Sequence, residues 1–212
     1  MRFMVAEMSS RDETVDLYDT VFHYNAPTDV VADAFLSLAE RDAITDVTQM
    51  KLNKLMYLAQ AQYLAATNHR LFRERLEAYR HGPIVPSLRY RFSAWKDRSL
   101  TEAPFDEHAL DQVPQDMRSF IEQVWDKYKG YTASQLRDMS HKDPAWKSVY
   151  RPNAQHLVMD DKQIAQTVIN APWQERISNP NVVLVNNDMM NSINWDKRVA
   201  DAVARTKAKL SV

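Results

Sequence analysis

Six histidines, no cysteine and two glycines decide most of the chemistry open to this chain of 212 residues. Without cysteine there is no thiolate zinc site, no iron–sulfur cluster, no disulfide framework and no cysteine nucleophile, a composition suited to a reducing, cytoplasmic setting. His23, His69, His81, His108, His141 and His156 form no i, i+4 pair and no H-E-x-x-H run. The nearest approaches to ligand clusters are His141 with Asp143, and His156 with Asp160 and Asp161, and loop or cap roles account for these as well. No serine sits in a G-x-S-x-G elbow, and a carboxylate pair such as Asp160–Asp161 implies acid/base work only inside a pocket. Gly82 and Gly130 alone cannot write either phosphate-cradling glycine motif. The pattern calls for no catalytic residue, no metal and no cofactor, so nothing in it demands an enzyme.

Charge is the second source of chemistry, and it is unevenly spread. Residues 1–50 carry three Lys/Arg against ten Asp/Glu, net −7, whereas residues 69–98 carry eight Lys/Arg against three Asp/Glu, net +5, within a chain whose total is −1. Such opposed blocks are solvated helix faces, an internal match or a partner-binding surface. A basic C-terminal stretch with Lys197, Arg198, Arg205, Lys207 and Lys209 is better read as a solvated face than as a phosphate-binding one, since the chain as a whole is not basic. No run of about 18 apolar residues is present, so neither a membrane span nor an export signal is expected.

The elements that must position these groups are helical. Val15, Tyr18 and Phe22 predict a short helix over 12–24. Pro27 and Thr28 break and cap ahead of a stripe of Val30, Val31, Ala34, Phe35, Leu38 and Ala39. Asp46 or Thr48 opens a helix carrying Leu52, Leu55, Met56, Ala59, Tyr63 and Ala66, with Asn68 as its stop. Leu76 and Ala78 alternate with polar neighbours as one short strand that Gly82 and Pro83 end, and Pro86 starts a helix holding Leu88, Phe92 and Trp95. A polar connection over 97–113 leads to a helix with Met117, Phe120, Ile121, Val124, Trp125 and Tyr128, closed by Gly130. Thr132 and Gln135 are spaced as a capping box for a helix burying Leu136 and Met139. Asp143 and Pro144 open another with Trp146 and Tyr150, and Asp161 to Ile169 forms one more. Beyond Pro172, Val182–Val185 is a short apolar run, and Trp195, Val199, Ala202, Val203, Thr206 and Leu210 predict a last amphipathic helix. The expected class is all-α, a mainly helical single domain with one short β element at the Glu77–Pro86 corner.

That corner is the most informative stretch, because one of two glycines stands before a proline and Pro83 and Pro86 stiffen the passage from strand to helix. Three segments in order, Lys51-Leu52-Asn53-Lys54-Leu55-Met56-Tyr57, Glu77 to Pro86, and Ser140-His141-Lys142-Asp143-Pro144-Ala145-Trp146, resemble the Panacea or SocA-like antitoxin domain of phage-associated toxin–antitoxin proteins. Tyr79, His81, Ile84 and the inserted Ala145 depart from its pattern while conserving bulk. The resemblance implies a helical scaffold over residues 28–169, flanked by extensions 1–27 and 170–212. It also implies a function as an antitoxin that binds a cognate protein toxin encoded beside it, one member type acting instead as an adaptor to a AAA+ protease. Nucleic-acid regulation through Arg70 to Arg98 or the basic C-terminus is the rival from another class.

For the motif residues Lys51, Leu52, Lys54, Leu55, Tyr57, Glu77, Ala78, Gly82, Pro83, Pro86, His141 and Trp146 the reading is structural, with Lys51 and Lys54 solvating a helix edge or neutralising Glu77. For partner binding it falls on Tyr79, Arg80, His81, Arg89, Tyr90 and Arg91 around the rigid corner, with an internal match to the acidic N-terminal region as the alternative.

Overall fold

In the computed structural model, residues 26–171 and Ile177 are described. The helices expected over 12–24 and 195–210, and the apolar run 182–185, lie outside them. The chain runs through α1 (Thr28–Arg41), α2 (Gln49–Thr67), β1 (Glu77–Tyr79), β2 (Gly82–Ile84), α3 (Pro86–Arg91), α4 (Gln115–Tyr128), α5 (Ala133–Lys142), α6 (Pro144–Val149) and α7 (Asp161–Ile169). The class is mainly helical, as the periodicity predicts. Among the described residues no helix is long and apolar enough to cross a membrane.

The helix ends follow local chemistry. Thr48 caps α2 by accepting from the Lys51 amide, and Asn68 ends it in the left-handed region at φ 59°. Thr132 and Gln135 form the reciprocal capping box of α5, and Asp143 caps α6 with Pro144 at its first turn. At α1 the boundary residue is Pro27, with no side-chain cap, and Thr28 is already helical. Gly130 stands just past Lys129, the capping residue of α4, without a positive φ, so it is not the left-handed stop that its position suggests.

α2 is the hub of the fold. α1, α4, α5, α7 and the hairpin all pack on it, and its apolar residues Leu52, Leu55, Met56, Ala59, Tyr63 and Leu64 are buried among Phe35, Leu38, Phe120, Ile121 and Trp125. Phe120 meets Tyr63 edge to face at 5.4 Å between ring centres. Its polar residues are buried too, which apolar periodicity does not reveal. Lys51, Asn53, Lys54, Gln60 and Gln62 lie inside. Most of their bonds reach backbone groups of remote segments. Gln60 Oε1 accepts from the Leu71 and Phe72 amides, and Gln62 Oε1 accepts from the Ile177 amide. Lys51 Nζ donates to Asp46 and to the Lys129 carbonyl, while Asn53 Oδ1 accepts from the Val85 amide. The helix thus supplies partners that buried loop backbone would otherwise lack.

The strand reading needs one correction. Gly82 and Pro83 do not end the β element but begin its second strand, antiparallel to the first, with Ala78 opposite Pro83 and Tyr79 opposite Gly82. Arg80 and His81 form the turn between them, and Gly82 takes φ 93°, a conformation that a side chain disfavours. Proline is tolerated there because β1 finds its partners on the other edge: the Ala78 amide donates to Leu157 O, and the Met159 amide to Leu76 O.

Three further expectations shift. α3 stops at Arg91, leaving Phe92 as its cap and Trp95 in the turns beyond. The 97–113 connection contains two 3-10 turns, Leu100–Glu102 and Ala109–Asp111, whose Leu100, Ala109 and Leu110 are buried. Met139 is exposed on α5, where Ser140 instead shares the buried side with Leu136.

Candidate functional site

The three segments singled out in the sequence meet at the hairpin corner. Its inner side is built by α2 and α5. Lys54, 1% exposed, donates from Nζ to the Pro83 carbonyl at 2.8 Å. Burial pushes its ammonium down to about 7, and the charge of Arg137 adds to the shift. A Cβ at Gly82 would stand 2.5 Å from Ser140 Oγ and 2.7 Å from Lys54 Nζ, so the glycine is required by its neighbours as well as by its φ. Lys51 and Lys54 therefore do not solvate a helix edge, and neither neutralises Glu77. The Glu77 carboxylate, largely buried, meets His156 Nδ1 at 3.4 Å through one oxygen, and its other oxygen has no hydrogen-bond partner among the described residues.

α5 and α6 close the corner from the other end. Trp146 Nε1 donates to the Tyr79 carbonyl at 3.0 Å, and the Trp146 ring is stacked between His141 at 4.4 Å and Tyr150 at 4.7 Å. The His141 imidazole is held below its ordinary value by burial first and by the charges of Lys54 and Arg137 next. Behind it, Tyr57 donates its hydroxyl proton to Asp143, the residue that caps α6 through the Ala145 amide at 2.7 Å. Burial raises the Asp143 carboxyl, with the Tyr57 hydrogen bond opposing, and burial raises the Tyr57 phenol well above its ordinary value. Leu52, Leu55 and Ala78 are core residues of the same corner, and Pro86 opens α3.

The outer side carries the residues expected to bind a partner. Arg80 and His81 are exposed at the turn, Arg89 lies over the half-buried Tyr79 ring at 4.7 Å, and Tyr90 is 67% exposed. The structure thus brings hairpin and α3 together through Tyr79 and Arg89. Arg91 is held differently. Its guanidinium meets Asp33 at 2.8 Å and Asp29 at 3.2 Å on α1, and also reaches the Pro104 carbonyl. Part of the basic block is therefore matched internally, against acidic residues of the first 50. The partner-binding residues expected from sequence do not include Trp95, read as a helix-stripe residue, or Arg98, read as part of the basic block, where the guanidinium lies 4.5 Å from the ring centre. Their spacing of three residues, an aromatic followed by arginine within the basic block, was the available signal.

Asp143 and Asp160 are helix caps, and among the described residues no three His, Asp or Glu side chains stand where they could share a metal ion. A groove of about 620 Å³ opens between α6 and α7, lined by Pro144, Ala145, Ser148, Gln166 and Thr167, with Lys162 as its one charged group. It brings no nucleophile to a base.

Comparison with known proteins adds one finding. Residues 52–147 match the family model described as antitoxin SocA-like, Panacea domain. That span, a little under half of the chain, runs from the second motif residue of α2 to one residue past Trp146 and contains the whole corner. No curated protein and no solved structure matches the chain.

Proposed function

We propose that this chain, which carries a SocA-like Panacea domain across residues 52–147, is an antitoxin that neutralises the protein product of an adjacent reading frame by binding it directly. Residues 28–169 form the binding scaffold in this reading, 1–27 and 170–212 are its extensions, and the complex acts in the cytoplasm. The reaction chemistry required is none. What is required is a rigid surface, because a backbone already fixed loses little freedom on association.

The observation that carries the reading is the two-sided corner. Its inner side is locked by Lys54, Gly82 and Trp146, and its outer side presents Tyr79, Arg80, His81, Arg89 and Tyr90. Tyrosine and arginine are the residue types that most often carry interface energy. The two charge-bearing segments that contribute to this face, the turn and α3, are joined by a guanidinium resting on a ring, which presets their relative position.

The test is coexpression with the adjacent frame. Growth restored by this chain in cells with and without their AAA+ proteases is the expected outcome, together with a complex of the two purified proteins. Rescue that disappears with one protease makes the chain an adaptor and sinks direct neutralisation. Absence of rescue alongside binding to the operon's own promoter DNA sinks the antitoxin reading altogether.

A further inference from the structure

Arginines over aromatic rings recur three times between α3 and the turns that follow it. Arg89 lies over Tyr79, Arg91 over Phe92 and Arg98 over Trp95, at 4.7, 4.7 and 4.5 Å from the ring centres. The three differ in what their charge meets. Arg91 has Asp29 and Asp33. Arg89 and Arg98 have no carboxylate partner among the described residues; the Arg98 guanidinium donates to the Ala94 carbonyl of its own turn. Both are exposed, as is Tyr90 between them in sequence.

A guanidinium held over a ring face has lost part of its freedom before any partner arrives. Two such groups, with their order paid in advance by ring contact, match carboxylates, which accept bidentate hydrogen bonds from this fork. The middle arginine shows the same geometry with carboxylates in place. Asp33 and Asp29 occupy Arg91 from within the chain, and Arg89 and Arg98 offer the equivalent position to something outside it.

We propose that Arg89 and Arg98 are charged anchors for an acidic protein segment, with the exposed Tyr90 next to Arg89 on α3 as an apolar contact. This rests on the antitoxin reading for the partner's identity, the adjacent-frame product, and adds its chemistry: carboxylate side chains on the face that meets α3. The surroundings favour a protein over a nucleic acid. Asp29 on Arg91 is largely exposed, and Asp97 is exposed beside Arg98. Carboxylates in this rim repel a phosphate backbone, whose binding draws on cations that displace its counterions, and suit a protein surface with apolar and charged positions interleaved.

Binding of the purified adjacent-frame product by calorimetry, with melting temperatures recorded alongside, tests this. Arg89→Gln/Arg98→Gln should weaken binding by about tenfold to a hundredfold and leave the melting temperature unchanged. Arg118→Gln, on α4, should change neither, and a partner in which interfacial Asp/Glu are replaced by Lys should recover affinity for Arg89→Glu/Arg98→Glu. Wild-type binding matched by the double glutamine variant overturns this inference and leaves the antitoxin reading standing. A loss that tracks a fall in melting temperature overturns it in favour of an internal match. Retained partner binding with lost duplex-DNA binding assigns the surface to nucleic acid and overturns it too. A wild-type chain that neither rescues growth nor binds the product overturns both.

Discussion

The two sides of the hairpin corner put polar and aromatic side chains to opposite ends. On the inner side a buried lysine, a half-buried tryptophan indole and a buried asparagine direct hydrogen bonds to backbone groups of β2, β1 and the residue before α3. On the outer side, a few residues away, Arg89 and Arg98 are exposed with their guanidinium groups over the rings of the half-buried Tyr79 and Trp95, and Tyr90 stands in solvent. The family match covers both sets. The division is physical: buried polar groups fix the backbone of the corner, and the exposed side chains leave it free for other contacts. A prediction that separates fold stability from partner binding tests this division directly.

The largest effect should come from Gly82→Val. The side chain would have to adopt φ 93° and intrude on Ser140 Oγ and Lys54 Nζ at once. Backbone strain and overpacking together should cost on the order of 3 kcal/mol or more. Urea unfolding measures it, and neutralisation should fall only as far as the folded fraction does. A variant that melts like wild type yet fails to neutralise would move Gly82 to the binding side and break the comparison.

Lys54 provides a second test through pH. Its folded value of about 7 lies below the ordinary 10.5, because burial penalises the charge. A depressed value means that the unfolded chain holds a proton which the folded chain has released, between those two limits. The stability contributed is thus fully present above pH 10.5 and is lost as pH falls toward 7, with a slope of up to about 1.4 kcal/mol per pH unit. Other groups titrate in the same window, so the quantity to measure is the difference between wild type and Lys54→Met from pH 7 to 9. Parallel curves would mean that the amine is solvated, and the inner side would lose its principal fastening.

Tyr57→Phe should have a smaller effect. Asp143 keeps the Ala145 amide but loses the phenolic donor in a buried setting. About 1–2 kcal/mol is expected for a buried acceptor left one bond short. Partner affinity should not move, since Tyr57 lies 1% exposed behind the corner. A drop in affinity at unchanged stability would place the α6 cap at the interface.

The residues that were legible and those that were not divide along the same line. Caps and stripes are local: Thr48, Asn68, the Thr132–Gln135 box and the α4 stripe follow from spacing alone. The corner's rigidity was legible too, from Gly82 and two prolines. What could not be read was the burial of Lys51, Asn53, Lys54, Gln60 and Gln62, because their partners lie far along the chain and a polar residue signals solvent until a remote carbonyl or amide claims it. The second strand failed for the same reason, since Pro83 is acceptable in a ladder only when β1 bonds elsewhere, to Leu157 and Met159. Arg91 looked like its neighbours in sequence and differs only because α1 brings Asp29 and Asp33 to it.

The smallest predicted effect is the most discriminating about glycine itself. Gly130 is exposed, has no positive φ and leaves open space where a Cβ would stand. Its backbone is therefore one that alanine adopts without strain, and the substitution acts on the unfolded chain by removing conformations that glycine alone can visit. Gly130→Ala should stabilise by about 0.4–1 kcal/mol, against the loss at Gly82, with binding unchanged in both per folded molecule. Denaturant midpoints of the two variants measured side by side decide the matter. If Gly130→Ala destabilises, the passage from α4 to the α5 capping box needs a freedom that its geometry does not display, and the contrast between a glycine held by Lys54 and Ser140 and a glycine held by nothing would fail.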